Sequence, residues 1–394
     1  MALETAERQP LLQLWEDLHW ADPSTLELLG ELIEQAPTVS ILMVLTARPE
    51  FVPSWPARSH ITPITLNRLE RPHAEALIAR VVGLKPLPED VVDHIITKTD
   101  GVPLYVEELT KTILASDILI DTGERFELAG TLSSLAIPDT LQESLMARLD
   151  SLPQVRELAQ LGSVLGREFA YEMISGLYTV GEGVLQQGLG QLVDAELLYQ
   201  RGRPPRARYV FKHALIQDAA YQSLLRRTRQ QSHRLAAELL ERRFPEIVET
   251  QPELMARHYA EAGLAEQAIS YCDRAGQRAS ARSAHQEAMS HFTMGLTLLE
   301  SLPETQARHQ QELRLQTALG ASAIISRGHG APEVEAAYSR ARQLCQQLGD
   351  NEDVFPVLFG LWRLYVARPD LQLAQQLAEE LQGLAERSDL EQLQ

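Results

Sequence analysis

The sequence predicts a mainly α chain, with a small partial α/β parallel-sheet remnant at its front and a helical solenoid behind it. Three observations predict this. A strand, a helix and a second strand succeed one another within residues 11 to 45, the pattern after Glu70 is helical apart from one hairpin and two short strands, and the last third repeats itself with a period of 33 residues. The 394 residues are 44% hydrophobic and 23% charged, which is enough apolar material for several packed cores and excludes a chain disordered throughout.

At the front, Leu11, Leu12, Leu14 and Trp15 form a short apolar run that stops at Glu16 and Asp17, the pattern of a buried parallel strand at its carboxyl end. Asp22-Pro23-Ser24-Thr25 supplies an N-cap and a first-turn proline to a helix through Leu26, Leu28, Leu29, Leu32 and Ile33. Ser40 to Leu45 reads as a second buried strand, closed by Thr46-Ala47-Arg48-Pro49, and Ile61 to Leu66 as a weaker third. Pro72 and Pro88 then open helices over Ala74 to Val82 and Val91 to Thr97. Gly101-Val102-Pro103 launches another through Val106, Leu109 and Ile113. Asp121-Thr122-Gly123 between Ile118–Ile120 and Phe126–Leu128 signals a hairpin.

Ile137-Pro138-Asp139 begins a helical set reaching about Leu198. Two short strands, around Tyr199 and over Tyr209 to Phe211, then flank Arg201-Gly202-Arg203-Pro204-Pro205, the order of a winged helix-turn-helix. From His213 onward the pattern is helical. Ala341, Leu344, Cys345 and Leu348 recur as Ala374, Leu377, Ala378 and Leu381, with Phe359, Trp362 and Tyr365 on the helix between, and Tyr259, Gly263, Ala268, Tyr271 and Ala275 mark an earlier unit. These features resemble tetratricopeptide (TPR) repeats, whose stacked helix pairs imply a protein partner. Of the two neighbouring aromatics Trp362 and Tyr365, at least Trp362 is expected in the core.

The net charge of −18 argues against nucleic acid and against an anionic membrane surface. Arg201, Arg203, Arg206 and Arg208 in the wing read as a solvated turn or a partner for the acidic remainder, and Arg226, Arg227 and Arg229 as the exposed face of a helix. Two cysteines, Cys272 and Cys345, build neither a disulfide framework nor a four-ligand zinc site, and His285 and His291 are six apart and do not share a helix face. The longest aliphatic run, Ile41 to Leu45, is too short to span a bilayer. The expectation is a cytoplasmic protein with no membrane partner.

An apolar strand leading into adjacent acids and then a helix is the device by which a nucleotide triphosphatase holds magnesium at the carboxyl edge of its sheet. Taken alone, the same residues also describe any strand followed by an acidic turn. From the residues alone, too, Arg48 is a strand-end cap in a surface ion pair, Pro103 a helix breaker and His213 a core histidine. The longer segment Leu14-Trp15-Glu16-Asp17-Leu18-His19-Trp20-Ala21-Asp22-Pro23-Ser24-Thr25-Leu26 closely resembles the Walker B segment of the signal-transduction ATPases with numerous domains (STAND), a branch of the AAA-like P-loop NTPases. Thr46-Ala47-Arg48-Pro49-Glu50 resembles its sensor-1 strand end. Gly101-Val102-Pro103-Leu104-Tyr105-Val106-Glu107-Glu108-Leu109 resembles its GxP motif, and Tyr209 to Asp218 the end of its winged helix. In detail the chain is similar to the modules that follow class III adenylate/guanylate cyclase or serine/threonine kinase domains in bacterial signalling proteins.

The resemblance implies ATP and Mg2+ as cofactors. It makes Glu16 the magnesium acid, Asp17 the water-orienting acid, Arg48 the sensor near the γ-phosphate, Pro103 the adenine contact and His213 a group near the β-phosphate. It implies domains over 1–70 (partial NTPase, Walker B and sensor 1 without Walker A), 71–136 (helical lid), 137–212 (winged helix) and 213–394 (TPR-like solenoid). The sequence departs from the family in one respect: no Gly-x-x-x-x-Gly-Lys-Ser/Thr occurs, and none of Lys85, Lys98, Lys111 and Lys212 follows a glycine. Only ten residues precede the first strand, so the front edge reads as truncated. Three functions remain open: a regulatory part of a signalling ATPase that serves a cyclase, kinase or transcriptional regulator; an ATP-hydrolysing enzyme completed in trans by an upstream polypeptide carrying the P-loop; and a nucleotide-independent TPR scaffold.

Overall fold

The computed structural model describes residues 2–83, 85–116, 119–128, 140–150, 152–349 and 354–392. The chain is mainly α, with small sheets of two or three strands, and forms two compact units. One joins Met1–Pro63 to Glu246–Gln394; the other is Ile64–Pro245.

In the first unit, α1 (Ala2–Arg8) leads into β1 (Leu11–Trp15), α2 (Pro23–Gln35) and β2 (Ile41–Leu45). The strands pair in parallel, Leu11 opposite Ile41 and Trp15 opposite Leu45, as a strand–helix–strand crossover requires. Asp22 caps α2 as its sequence predicts, accepting from the Thr25 amide at 2.8 Å and its hydroxyl at 2.7 Å. Leu29 and Ile33 of α2 bury themselves with Leu18 against Trp15, Met43 and Leu45. That covers one sheet face only. Leu12 (58%), Leu14 (66%), Leu42 (63%) and Val44 (43%) lie exposed on the other, so the strands are half-buried rather than buried. The expected third strand is absent: residues 61–70 are irregular. Pro63 lacks the amide a ladder needs, and Ile64 and Leu66 are exposed, so no apolar face rewards pairing there.

In the second unit, α3 (Arg71–Val81), α4 (Glu89–Thr99) and α5 (Pro103–Leu114) pack around Ile78, Val91, Ile95, Val106, Leu109 and Ile113. The expected hairpin forms as β3 (Leu119–Asp121) and β4 (Phe126–Leu128), with Leu119 opposite Leu128. The helix start expected at Ile137-Pro138-Asp139 lies outside the described residues. From there α6 (Leu141–Asp150), α7 (Pro153–Leu165), β5 (Glu168–Ala170), α8 (Tyr171–Leu177) and α9 (Glu182–Asp194) precede the wing strands β6 (Leu198–Arg201) and β7 (Arg208–Phe211). β5, too short to show alternation in the sequence, pairs antiparallel with β7 and completes a sheet of order β5-β7-β6. Phe169, Tyr209 and Phe211 seat that sheet on the helices. Next come α10 (Ala214–Gln222) and α11 (Arg226–Arg243); α12 (Pro245–Thr250) starts on the last residue of this unit and from Glu246 belongs to the first. Arg226 and Arg227 are exposed as expected, but Arg229 turns back, its guanidinium 4.3 Å from the Tyr221 ring centre and donating to the Tyr221 carbonyl at 3.1 Å.

The remainder of the first unit is a succession of antiparallel helices, each packed on the next: α13 (Pro252–Glu261), α14 (Ala265–Ala281), α15 (His285–Leu299), α16 (Gln306–Arg327), α17 (Pro332–Leu348), α18 (Val354–Ala367) and α19 (Leu371–Gln392). The 33-residue repeat falls on α17 and α19, where Ala341, Leu344 and Cys345, and then Ala374 and Leu377, are buried. Trp362 and Tyr365 both pack half-buried against that core. Cys272 and Cys345 are buried free thiols.

Candidate functional site

The residues at the carboxyl end of β1 and β2 form a tight, hydrogen-bonded corner. Asp17 takes the left-handed conformation (φ 59°, ψ 43°), which a short polar side chain tolerates better than most. The end of β2 holds it there: the Asp17 amide donates to Thr46 Oγ1 at 3.0 Å, the Leu18 amide to the Thr46 carbonyl at 2.9 Å, and the Thr46 amide to the Trp15 carbonyl at 2.9 Å. A single 3₁₀ turn, Leu18–Trp20, follows and leads into the α2 cap. Glu16 is exposed and Asp17 half-buried. Arg48 stands over the Trp20 ring, its guanidinium carbon 5.4 Å from the ring centre. Thr46 and Trp20 are therefore positioning residues of this corner. The sequence contained them, but nothing in their local pattern signalled the role.

Glu16, Asp17 and Arg48 thus gather at one sheet end. Two carboxylates match in number what a magnesium ion takes from a protein, its other positions being filled by water and phosphate oxygens. No cluster of three or more histidine, cysteine or acidic groups fit to hold a metal occurs among the described residues.

Pro103 and His213 belong to the second unit. Pro103 opens α5, where its missing amide costs nothing. Gly101 before it has φ +69°, and a Cβ there would lie 2.3 Å from the Leu69 carbonyl oxygen, so only glycine fits. The Leu69 amide donates to the Gly101 carbonyl at 2.7 Å, which ties the entry of α3 to that of α5.

His213 caps α10 with its backbone, half-buried, and its Nε2 is buried without a hydrogen-bond partner. Burial, and then the neighbouring Lys212 charge, push the imidazole below its ordinary range, against an opposing pull from Glu107 and Glu108. Lys212 itself bridges Glu196 (3.1 Å) and Glu107 (3.3 Å), and Lys111 bonds the same two acids, Glu107 at 2.7 Å. For Glu107, burial works against ionisation, but the Lys111 and Lys212 contacts outweigh it and hold the carboxyl below its usual range. Beside this quartet, Arg148 pairs with the buried Glu108 and donates to the Ala195 carbonyl. The network latches α5 to α6, to the turn after α9 and to the end of β7. Spacing shows only the Glu107–Lys111 pair, four apart on α5; the contacts that join the elements lie 16 to 105 residues apart.

Hydrogen bonds from Lys111 and Lys212 hold the Glu196 carboxyl down to about 2. A carboxylate depressed in the folded state contributes stability above its unfolded value of 4.5 and loses it as pH falls toward 2. Glu196→Gln is therefore expected to lower the neutral thermal midpoint, modestly because the carboxylate is half-exposed, and to flatten the acid limb by the same amount, so that variant and wild type converge as pH falls toward 2. Differential scanning calorimetry across that range checks this.

No family model matches the chain. It is 27% identical over 370 residues to an uncharacterised protein of Rhizobium meliloti, an alignment covering 92% of this chain and 35% of that protein. The chain spans about a third of the length of this curated relative. Among solved structures it is similar to a STAND protein with a tetratricopeptide repeat sensor from Pyrococcus horikoshii, with TM-score 0.37 and 12% identity over 96% of this chain and 62% of that one. No helix among the described residues is long and apolar enough to cross a membrane.

Proposed function

We propose that this chain is a regulatory and interaction module of a STAND-type signalling ATPase, the sensory part of a cyclase, kinase or transcriptional regulator, with its own nucleotide binding impaired. The observation that carries the reading is the acidic corner. A parallel strand delivers Glu16 and Asp17 to its carboxyl end, the residue that ends the next strand, Thr46, holds the Asp17 backbone, Arg48 stands over Trp20 of the same turn, and a capped helix follows. In this reading Glu16 holds Mg2+, Asp17 orients water, Arg48 faces the γ-phosphate, Pro103 contacts adenine and His213 approaches the β-phosphate. The bound metal supplies charge neutralisation on the phosphates; the chain's residues hold and orient.

The phosphate-cradling amides and lysine of a glycine-rich loop are missing from these 394 residues. Isothermal titration with magnesium-ATP is accordingly expected to give a dissociation constant weaker than about 1 mM and no hydrolysis. A micromolar constant overturns the impairment. The exposed sheet face of Leu12, Leu14, Leu42 and Val44 supports completion by a further strand–helix unit bearing that loop, because parallel sheets are normally covered on both faces. The reading holds if adding such a polypeptide brings magnesium-ATP binding into the micromolar range and Glu16→Gln abolishes the gain; it fails if Glu16→Gln binds equally well. The TPR-like helices supply the surface for a protein partner, and the net charge of −18 favours a basic or mixed-charge segment over duplex DNA.

A further inference from the structure

Helix α2 begins with one of its free amides satisfied from the far end of the chain. The Ser24 amide donates to Glu287 Oε1 at 2.8 Å and the Ser24 hydroxyl to Glu287 Oε2 at 2.9 Å, so both carboxylate oxygens of a solenoid residue hold the first turn of the helix that follows the acidic corner. Gln286, beside Glu287 in the first turn of α15, donates to Glu27 of α2 at 3.2 Å. The cap residue Asp22 also lies against Glu287, so two acids share the start of one helix, where the helix dipole favours negative charge.

From Ser24 the chain back to the acids is short and stiff. The Trp20 amide donates to the Asp17 carbonyl (2.9 Å), the Ala21 amide to the Leu18 carbonyl (3.1 Å), and Leu18 is buried in the core. A shift of the α2 start relative to the sheet therefore has little slack in which to dissipate before it reaches Asp17 and Trp20. The Glu287 contact is itself reversible, since it is only half-buried and water can replace a carboxylate at a helix end that solvent reaches.

We propose that Glu287 is a positioning residue through which the solenoid sets the turn carrying Asp17, so that rearrangement of α15 by a partner on the repeats is felt at the acidic corner. The regulatory meaning rests on the function proposed above; the mechanical link does not.

Hydrogen–deuterium exchange on the full chain tests it. Glu287→Ala is expected to speed amide exchange over residues 17–26 by about tenfold, within the usual range of coupling between sites. Exchange in α17 should stay unchanged, and Glu287→Gln, which keeps an acceptor, should restore part of the protection. Unchanged exchange over 17–26 overturns the proposal. Equal acceleration in α17 also overturns it, because the residue would then be merely structural. Adding magnesium chloride with ATP and the loop-bearing polypeptide separates the two readings. If the nucleotide leaves residues 16–22 unaffected while Glu287→Ala still releases them, the mechanical link stands and the ATPase reading falls. If the nucleotide slows exchange at 16–22 while Glu287→Ala exchanges over 17–26 as the wild type does, the ATPase reading stands and the link falls.

Discussion

Arg148→Met is expected to destabilise the Ile64–Pro245 unit by about 3–5 kcal/mol, the usual cost of removing one partner of a buried ion pair. The Glu108 side chain is 1% exposed and that of Arg148 15%, so no solvent stands ready to take over the orphaned carboxylate. The same substitution also unsatisfies the Ala195 carbonyl. The double variant Glu108→Leu/Arg148→Met should recover most of the loss, because an apolar pair of similar volume leaves no charge stranded. Urea unfolding of the single and double variants, followed by circular dichroism, measures both effects. A loss below about 1 kcal/mol in the single variant would place Arg148 among surface pairs.

Gly360→Ala and Gly320→Ala should each cost about 1–3 kcal/mol through overpacking of the solenoid. The two glycines face the ring of Tyr338 from neighbouring helices: an added Cβ would stand 2.6 Å from Tyr338 Cε2 at Gly320 and 2.5 Å from Cζ at Gly360. Tyr338 is 5% exposed, and its neighbours Ala341, Leu344, Leu361 and Leu364 leave it nowhere to retreat. Tyr338→Leu placed in the Gly360→Ala background should return part of the stability, since the smaller side chain admits the methyl group. Thermal melts of the three variants decide this; a Gly360→Ala midpoint equal to the wild type would mean that the ring moves freely.

Residues with local partners were legible from the sequence. Asp22 and Pro23 announced the start of α2 because a cap and its amide are three residues apart. Leu11 to Trp15 and Ser40 to Leu45 showed as strands because each is a short apolar run with a capped helix between them, and the wing strands showed because Arg201-Gly202-Arg203-Pro204-Pro205 breaks the helical pattern between them. The glycine of Gly101-Val102-Pro103 marked a turn that only a residue without a Cβ can make. At the acidic corner the sequence named Glu16, Asp17 and Arg48, but not Thr46, whose hydroxyl accepts from the Asp17 amide 29 residues away and whose carbonyl accepts from the Leu18 amide.

The sequence by itself determined the helical class, the parallel strand pair, the hairpin, the wing and the repeating solenoid. Each depends on hydrogen bonds and apolar spacing within a few residues or one repeat. The tertiary structure alone decided that Ile61 to Leu66 stays irregular, that one sheet face remains exposed, that Glu107, Lys111, Glu196 and Lys212 meet, and that Glu287 holds the start of α2. The physical reason is that a charged side chain or a strand edge carries no mark of which distant group will stand opposite it. That choice is made when apolar faces have brought the elements together, and only then do buried charges and free amides find the partners that burial obliges them to have.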